Sequence, residues 1–122
     1  IKPGDIDFVA AHATSTPGGD GEEAAAIASV FADNKDRLNV SGVKSMTGHL
    51  LGAAGSMGAF TAVKAIETGT ISPSINIENL DPAVEATGLN VTPNQVVQKE
   101  VRGALANSFG FGTNASLVFQ AI

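Results

Sequence analysis

The end of the chain constrains its architecture more than any other part. Two strand-like runs, Arg102–Phe109 and Ala115–Ile122, flank the turn segment Gly110-Phe111-Gly112-Thr113-Asn114. Two such runs joined by a short Gly-containing turn form a β-hairpin, so the chain must finish in an antiparallel pair. Upstream the pattern differs. Ile6–Ala10 and Leu38–Val43 read as short buried strands, and each is followed by a helical stretch, one reaching about Phe31 and the other covering about Leu51–Glu67. Strands alternating with helices pair in parallel. The expectation is one α/β unit over residues 1–122, a sheet whose parallel part ends in an antiparallel edge.

The helices carry further signals. Asp20 or a neighbour caps the first, with Glu22 and Glu23 in its opening turn, where the helix dipole favours negative charge. Ala24, Ile27, Ala28 and Phe31 fall on one face. The second helix holds Gly52, Gly55 and Gly58. Each glycine costs a helix about 1 kcal/mol relative to Ala, so the spacing implies close backbone packing against a neighbour. Met57, Phe60, Val63 and Ile66 are expected to form its larger apolar face, and Gly69 to stop it. The stretch 71–97 contains Pro73, Pro82 and Pro93 and is expected to wrap the surface as a long loop.

Composition removes several classes of function. The net charge is −5 and no Lys/Arg cluster occurs, which argues against nucleic acid or an anionic membrane as partner. There is no cysteine, hence no disulfide, no thiolate metal site and no cysteine nucleophile. No apolar run approaches the roughly 20 residues of a membrane span. The first residue is Ile1, so the chain is expected to be cut from something longer or to lack its recorded beginning. Neither a Gly-x-Ser-x-Gly elbow nor a Walker A loop is present, which sets aside a serine hydrolase and a P-loop nucleotide hydrolase.

The two histidines, His12 and His49, each lie in a small-residue loop just after a predicted strand. Ligands of open α/β sheets bind beyond the strand C-terminal ends. Position alone is equally served by two loop histidines with structural hydrogen bonds. The surrounding residues add more. Ala11-His12-Ala13-Thr14-Ser15-Thr16-Pro17-Gly18-Gly19-Asp20 resembles the first histidine motif of the β-ketoacyl synthases. Val43-Lys44-Ser45-Met46-Thr47-Gly48-His49-Leu50-Leu51-Gly52-Ala53-Ala54-Gly55 is similar to their Lys/His motif. Asn107-Ser108-Phe109-Gly110-Phe111-Gly112-Thr113-Asn114 resembles their C-terminal Gly/Phe turn, and Ser72-Pro73-Ser74-Ile75-Asn76 their connecting segment. The motifs keep the family's order and span nearly the whole chain.

That resemblance implies a thiolase-like fold, of which this chain is part of the C-terminal half. It also implies decarboxylative Claisen condensation of acyl thioesters with malonyl-acyl carrier protein in fatty-acid synthesis. The expected partners are an acyl carrier protein bearing phosphopantetheine-linked acyl and malonyl groups, a complementary N-terminal half with the nucleophilic cysteine, and a second copy in a homodimer. The expected compartment is the bacterial cytoplasm, a plastid or a mitochondrion. His12 and His49 become the pair that stabilises the enolate formed on decarboxylation. Lys44 orders the site and pairs with Glu23; without the resemblance these are a solvated loop lysine and a helix-dipole glutamate. Thr14 and Thr16 match residues that bind the phosphopantetheine arm; otherwise they cap the loop. Phe111 matches the gating phenylalanine, whose N–H completes an oxyanion hole, while Phe109 is the core aromatic. Gly110 and Gly112 supply positive φ and close approach at that turn.

Three departures stand out. Ala13 replaces the family's usual glycine after the first histidine, Gly112 stands alone where the family has two glycines, and Ala10 replaces an asparagine of a cation site found in some members. No metal and no cofactor is expected. The first two departures leave open a non-catalytic subunit like the chain-length factors of polyketide systems.

Overall fold

The computed structural model describes all of residues 1–122. Strands β1 (Phe8–Ala10), β2 (Asn39–Ser41), β5 (Gly103–Gly110) and β6 (Thr113–Gln120) form one sheet in the order β2-β1-β5-β6. β1 pairs in parallel with β2 and β5, and β5 pairs antiparallel with β6. Helix α1 (Gly19–Val30) follows β1, a short helix α2 (Lys44–Thr47) follows β2, and the long helix α3 (Ala54–Thr68) comes next. The expected parallel sheet with an antiparallel edge is therefore present.

β1 is buried on both faces, and its alternation decides what each face meets. Val9 and Ala11 join Ile27, Phe31, Leu38 and Val40 under α1, while Phe8 and Ala10 join Ala62, Ala65, Ile71 and Ala104 under α3. The α3 side is a contact between small residues. A Cβ built on Gly55 would stand 3.2 Å from Ser108 Oγ, and one on Gly58 would stand 4.0 Å from the Ala106 methyl. The close approach predicted from the glycines holds for these two. Gly52 meets nothing and lies in a 3-10 turn (Leu51–Ala53) ahead of the helix. Gly69 ends α3 at φ 64.

Four expectations need correction. The face of α3 that packs inward is Ala54, Gly58, Ala62 and Ala65, whereas Phe60 and Val63 are 58% and 43% exposed. Phe60 and Val63 point away because small residues let the helix approach the sheet this closely, while Ile66 stays partly buried against the core. Asp20 does not cap α1; Gly18 is the N-cap, and the Asp20 carboxylate instead accepts the Ser15 N–H. The segment between β2 and His49, expected as a tight loop, contains the helical turn α2. The stretch 71–97 is more than a surface wrap. It carries β3 (Thr70–Ile71), α4 (Pro82–Glu85) and β4 (Val97–Gln98), and it sends Ile71, Val84 and Leu89 into the two cores.

One buried carboxylate joins the strand starts. Asp7, 1% exposed, accepts the Arg102 main-chain N–H at 2.9 Å and the guanidinium groups of Arg102 and Arg37 at 3.3–3.4 Å. Its N–H donates to Gly103 and its carbonyl accepts from Asn39, so it bridges the entries to β1, β2 and β5. Burial alone would raise the Asp7 carboxyl, but the hydrogen bonds and charge of Arg102, with the charge of Lys99, hold it below the usual carboxylate range. A depressed folded pKa contributes stability above the unfolded value and loses it as pH falls through the folded one. Asp7→Asn should cost about 1–3 kcal/mol at neutral pH, both guanidinium partners being largely exposed. It should also flatten the loss of stability below the ordinary carboxylate value of 3.8. Urea unfolding across pH measures both, and equal acid limbs for variant and parent would refute the role of Asp7.

Candidate active site

The C-terminal ends of the three parallel strands lie at one edge of the sheet, and each delivers part of a site. β1 runs into His12, β2 into Lys44 and His49, and β5 into Phe109. The β1–β5 register sets Ala10 opposite Ala106, so the residues just beyond each come together.

His12 is held at three places. Its main-chain N–H donates to Glu23 Oε1 and the next N–H, of Ala13, to Glu23 Oε2, both at 2.9 Å. Its carbonyl accepts from Lys44 Nζ at 2.5 Å. Its ring Nδ1 accepts the Phe109 N–H at 3.2 Å, with the Phe109 ring centroid 5.3 Å away. A ring nitrogen that accepts carries no proton, so the neutral ring bears its proton on Nε2. Burial lowers the pKa of His12, and the Lys44 charge lowers it further against the opposing pull of Glu23. The loop reaches this geometry through left-handed backbone at Ala13 (φ 37) and Ser15 (φ 58). Ala13 thus occupies a conformation that glycine adopts freely and alanine at a cost.

His49 follows Gly48, whose φ of 71 turns the chain out of α2. Its Nδ1 accepts the Leu51 N–H at 3.1 Å, which again leaves the proton on Nε2. The two rings stand 5.9 Å apart between centroids and nearly perpendicular, at 88°. The two rings thus stand side by side, although His49 and not His12 is among the residues that line the neighbouring cleft.

Lys44 and Glu23 do not form the ion pair expected of them. They grip the same dipeptide from opposite sides, Lys44 at the His12 carbonyl and Glu23 at the two N–H groups. A carboxylate with two such donors is already committed to the backbone. Burial depresses the Lys44 pKa, and the charges of Glu23 and Asp20 oppose that. Glu23 accepts a third hydrogen bond, from Asn107 Nδ2 at 3.0 Å, and Asn107 Oδ1 accepts from Ser116 on β6. Neither Asn107 nor Ser116 was predicted as a site residue. The available signal was Asn107 itself, the polar residue that follows Ala104-Leu105-Ala106 and opens the C-terminal motif.

Thr14 and Thr16 have their hydroxyls 3.4 Å apart and line a cleft of about 640 Å³ together with Lys44, Ser45, His49 and Asn76. Phe111 departs from expectation. It is fully exposed at the hairpin tip and does not join the histidines. With one glycine in the turn, the β5–β6 ladder continues to Gly110 opposite Thr113 and leaves Phe111-Gly112 as a two-residue connection. Phe109, expected as a core aromatic, is the ring against His12. Gly112 takes the expected positive φ (76°), but Gly110 does not, and neither lines the cleft.

Comparison with known proteins accords with this geometry. Residues 1–78 match the family model described as beta-ketoacyl synthase, C-terminal domain. The chain is 44% identical over 123 residues to the 3-oxoacyl-[acyl-carrier-protein] synthase 2 of Coxiella burnetii, covering 100% of this chain and 29% of that protein. It is 47% identical over 118 residues to synthase 1 of Escherichia coli K12, covering 96% of this chain and 28% of that protein. Among solved structures it is similar to a type II PKS acyl-carrier protein in complex with its ketosynthase, at TM-score 0.91 and 31% identity over 100% of this chain and 29% of that one. It is also similar to the ishigamide ketosynthase/chain length factor, at TM-score 0.85 and 39% identity over 97% of this chain and 28% of that one. Other relatives are mitochondrial and chloroplastic enzymes of Arabidopsis thaliana, and no helix of this chain is long and apolar enough to cross a membrane. The chain spans less than a third of the length of these curated relatives. By its sequence, its sheet and its paired histidines, this chain belongs to the β-ketoacyl synthase family.

Proposed function

We propose that this chain carries the decarboxylation machinery of a β-ketoacyl-[acyl-carrier-protein] synthase acting in fatty-acid synthesis. The reading rests on one observation: both histidines spend Nδ1 on a main-chain N–H, so each keeps Nε2–H as a donor, and the two rings are 5.9 Å apart. When malonyl thioester loses carbon dioxide, the electron pair of the broken C–C bond moves onto the thioester oxygen as an enolate. Two fixed N–H donors stabilise that oxygen, each worth about 3–4 kcal/mol at such a site. The enolate carbon then attacks an acyl group held as a thioester on the cysteine of the complementary N-terminal half. Lys44 and Glu23 are positioning residues that fix the His12 main chain.

Thr14 and Thr16 are assigned to the phosphopantetheine arm of the carrier protein, since their hydroxyls line the cleft beside His49. A similar ketosynthase solved with an acyl-carrier protein supports that partner. Phe60, Val63, Leu117 and Val118, all exposed, together with the unpaired edge of β6, are assigned to the complementary half and the homodimer it builds. Phe111, bare at the hairpin tip, belongs to the same boundary. The two donors favour this reading over a non-catalytic chain-length-factor-like subunit, which has no use for them.

In the full-length synthase, His12→Ala and His49→Ala should each slow release of labelled carbon dioxide from malonyl-carrier protein by about 10²–10³-fold. Acyl transfer to the cysteine should largely survive, because the enolate forms only in the decarboxylation step. Undiminished carbon dioxide release by both variants would refute the assignment.

Nitrogen-15 NMR of histidine-labelled enzyme should show both rings as Nε2–H tautomers. His12 should titrate below the ordinary value of 6.5. Removing a neighbouring positive charge raises a histidine pKa, so Lys44→Met should move His12 upward. An Nδ1–H tautomer at either ring would contradict the mechanism.

The isolated chain should form no β-ketoacyl product from acyl- and malonyl-carrier proteins, because covalent catalysis needs a nucleophile and the chain has no cysteine. Adding the complementary fragment should restore product. Turnover by the chain alone would mean a different mechanism.

A further inference from the structure

We propose that Ala13 and Gly42 are a steric pair that sets the spacing between the two histidine loops, the methyl on one side requiring its absence on the other. Ala13 directly follows His12, and Gly42 lies two residues before Lys44, on the segment that leads to His49. A Cβ built on Gly42 would stand 2.8 Å from the Ala13 methyl, with its next neighbours, Ala13 O and Ser74 Oγ, at 3.8 and 3.9 Å. Real Cβ atoms do not approach that closely, so a methyl at both positions forces one loop to move.

Neither loop has slack to give. Ala13 N–H is bound to Glu23 Oε2. Gly42 N–H donates to Ser74 Oγ at 2.8 Å, and its carbonyl accepts from the Ser45 hydroxyl at 2.8 Å and from the Ser45 N–H at 3.1 Å. Displacing Ala13 carries His12 with it. Displacing Gly42 carries Lys44, whose ammonium group holds the His12 carbonyl. Either movement changes where the two Nε2–H groups point. Gly42 has no positive φ, so only the facing methyl forbids a side chain there. The resemblance gave glycine as the usual residue at position 13. Here the extra methyl at Ala13 is accommodated by the missing one at Gly42, which explains how the site tolerates that departure. Ala13 and Gly42 act as positioning residues, a role that rests on His12 and His49 being the decarboxylation pair.

The test is a methyl exchange in the full-length synthase. Gly42→Ala should lower the kcat of malonyl decarboxylation by about tenfold or more, since misplacing catalytic groups by a fraction of an ångström to 1 Å carries penalties of that order. The KM for malonyl-carrier protein and acylation of the cysteine should change little. Adding Ala13→Gly should bring the double variant to within about threefold of the parent, after correction for the effect of Ala13→Gly alone in a double-mutant cycle. Gly103→Ala, whose new methyl would strike the Asp5 carbonyl far from the site, is the control that Ala13→Gly should not rescue. Recovery of folded, active protein only in the double variant also supports the pair. Full activity of Gly42→Ala, or a loss that Ala13→Gly does not repair, overturns it. If His12→Ala and His49→Ala still slow carbon dioxide release in that case, the pair has failed and the functional reading stands; if release is undiminished in both, the functional reading has failed.

Discussion

A single buried carboxylate organises the site. Glu23 is 7% exposed, and its two oxygens accept from His12 N–H, Ala13 N–H and Asn107 Nδ2. Burying an ionised carboxylate costs several kcal/mol unless its lone pairs are met. Here hydrogen bonds to a charged acceptor, each worth about 1.5–3 kcal/mol, meet them. The same bonds hold the loop after β1 in a conformation alanine disfavours at φ 37. Through Asn107 and Ser116 the grip extends into β5 and β6, so the His12 loop, the first helix and the hairpin form one hydrogen-bonded body. Lys44 completes it from the carbonyl side of the peptide. Burial disfavours protonation of His12, and the Lys44 charge adds to that effect.

The rest of the fold brings these groups to one edge. Parallel pairing of β1 with β2 and β5 puts three strand ends together, and the small residues of α3 and β5 let the helix lie close against the sheet. That close packing has a consequence on the outer surface. Phe60 and Val63 of α3 face away from the sheet, and β6 offers an unpaired edge with Leu117 and Val118 about half exposed. Unpaired edges and apolar patches of this kind invite association. Leu117 and Val118 lie opposite Ala106 and Leu105, along the body of the hairpin and away from the tip that carries Phe111.

Much of this was legible in the residues because it depends on short-range chemistry. The short buried strand in Ile6–Ala10, the helix stop at Gly69, the hairpin around Gly112 and the placement of both histidines after strands follow from local hydrophobic patterning and from turn geometry. The motif residues likewise identified His12, His49, Lys44 and Glu23 as belonging together. Failures came where a choice depended on what lay across the molecule. Phe60 and Val63 satisfy a helical apolar pattern, yet the sheet accepts only the Gly/Ala side of α3. Phe111 occupies the motif position of a gate, yet the shortened turn sends it to the tip and puts Phe109 against His12.

The sequence by itself determined the main strands and helices around the sheet and which motif residues belong together. Only the tertiary structure decided what each of those side chains holds. The His12 tautomer depends on a main-chain N–H 97 residues away, Glu23 finds Asn107 at a separation of 84, and Lys44 reaches the His12 carbonyl rather than Glu23. Secondary structure is set by neighbours within a few positions along the chain. Proton placement and hydrogen-bond partnership are set by strand register and by which donors burial leaves unpaired, and those exist only once β1, β2 and β5 lie side by side.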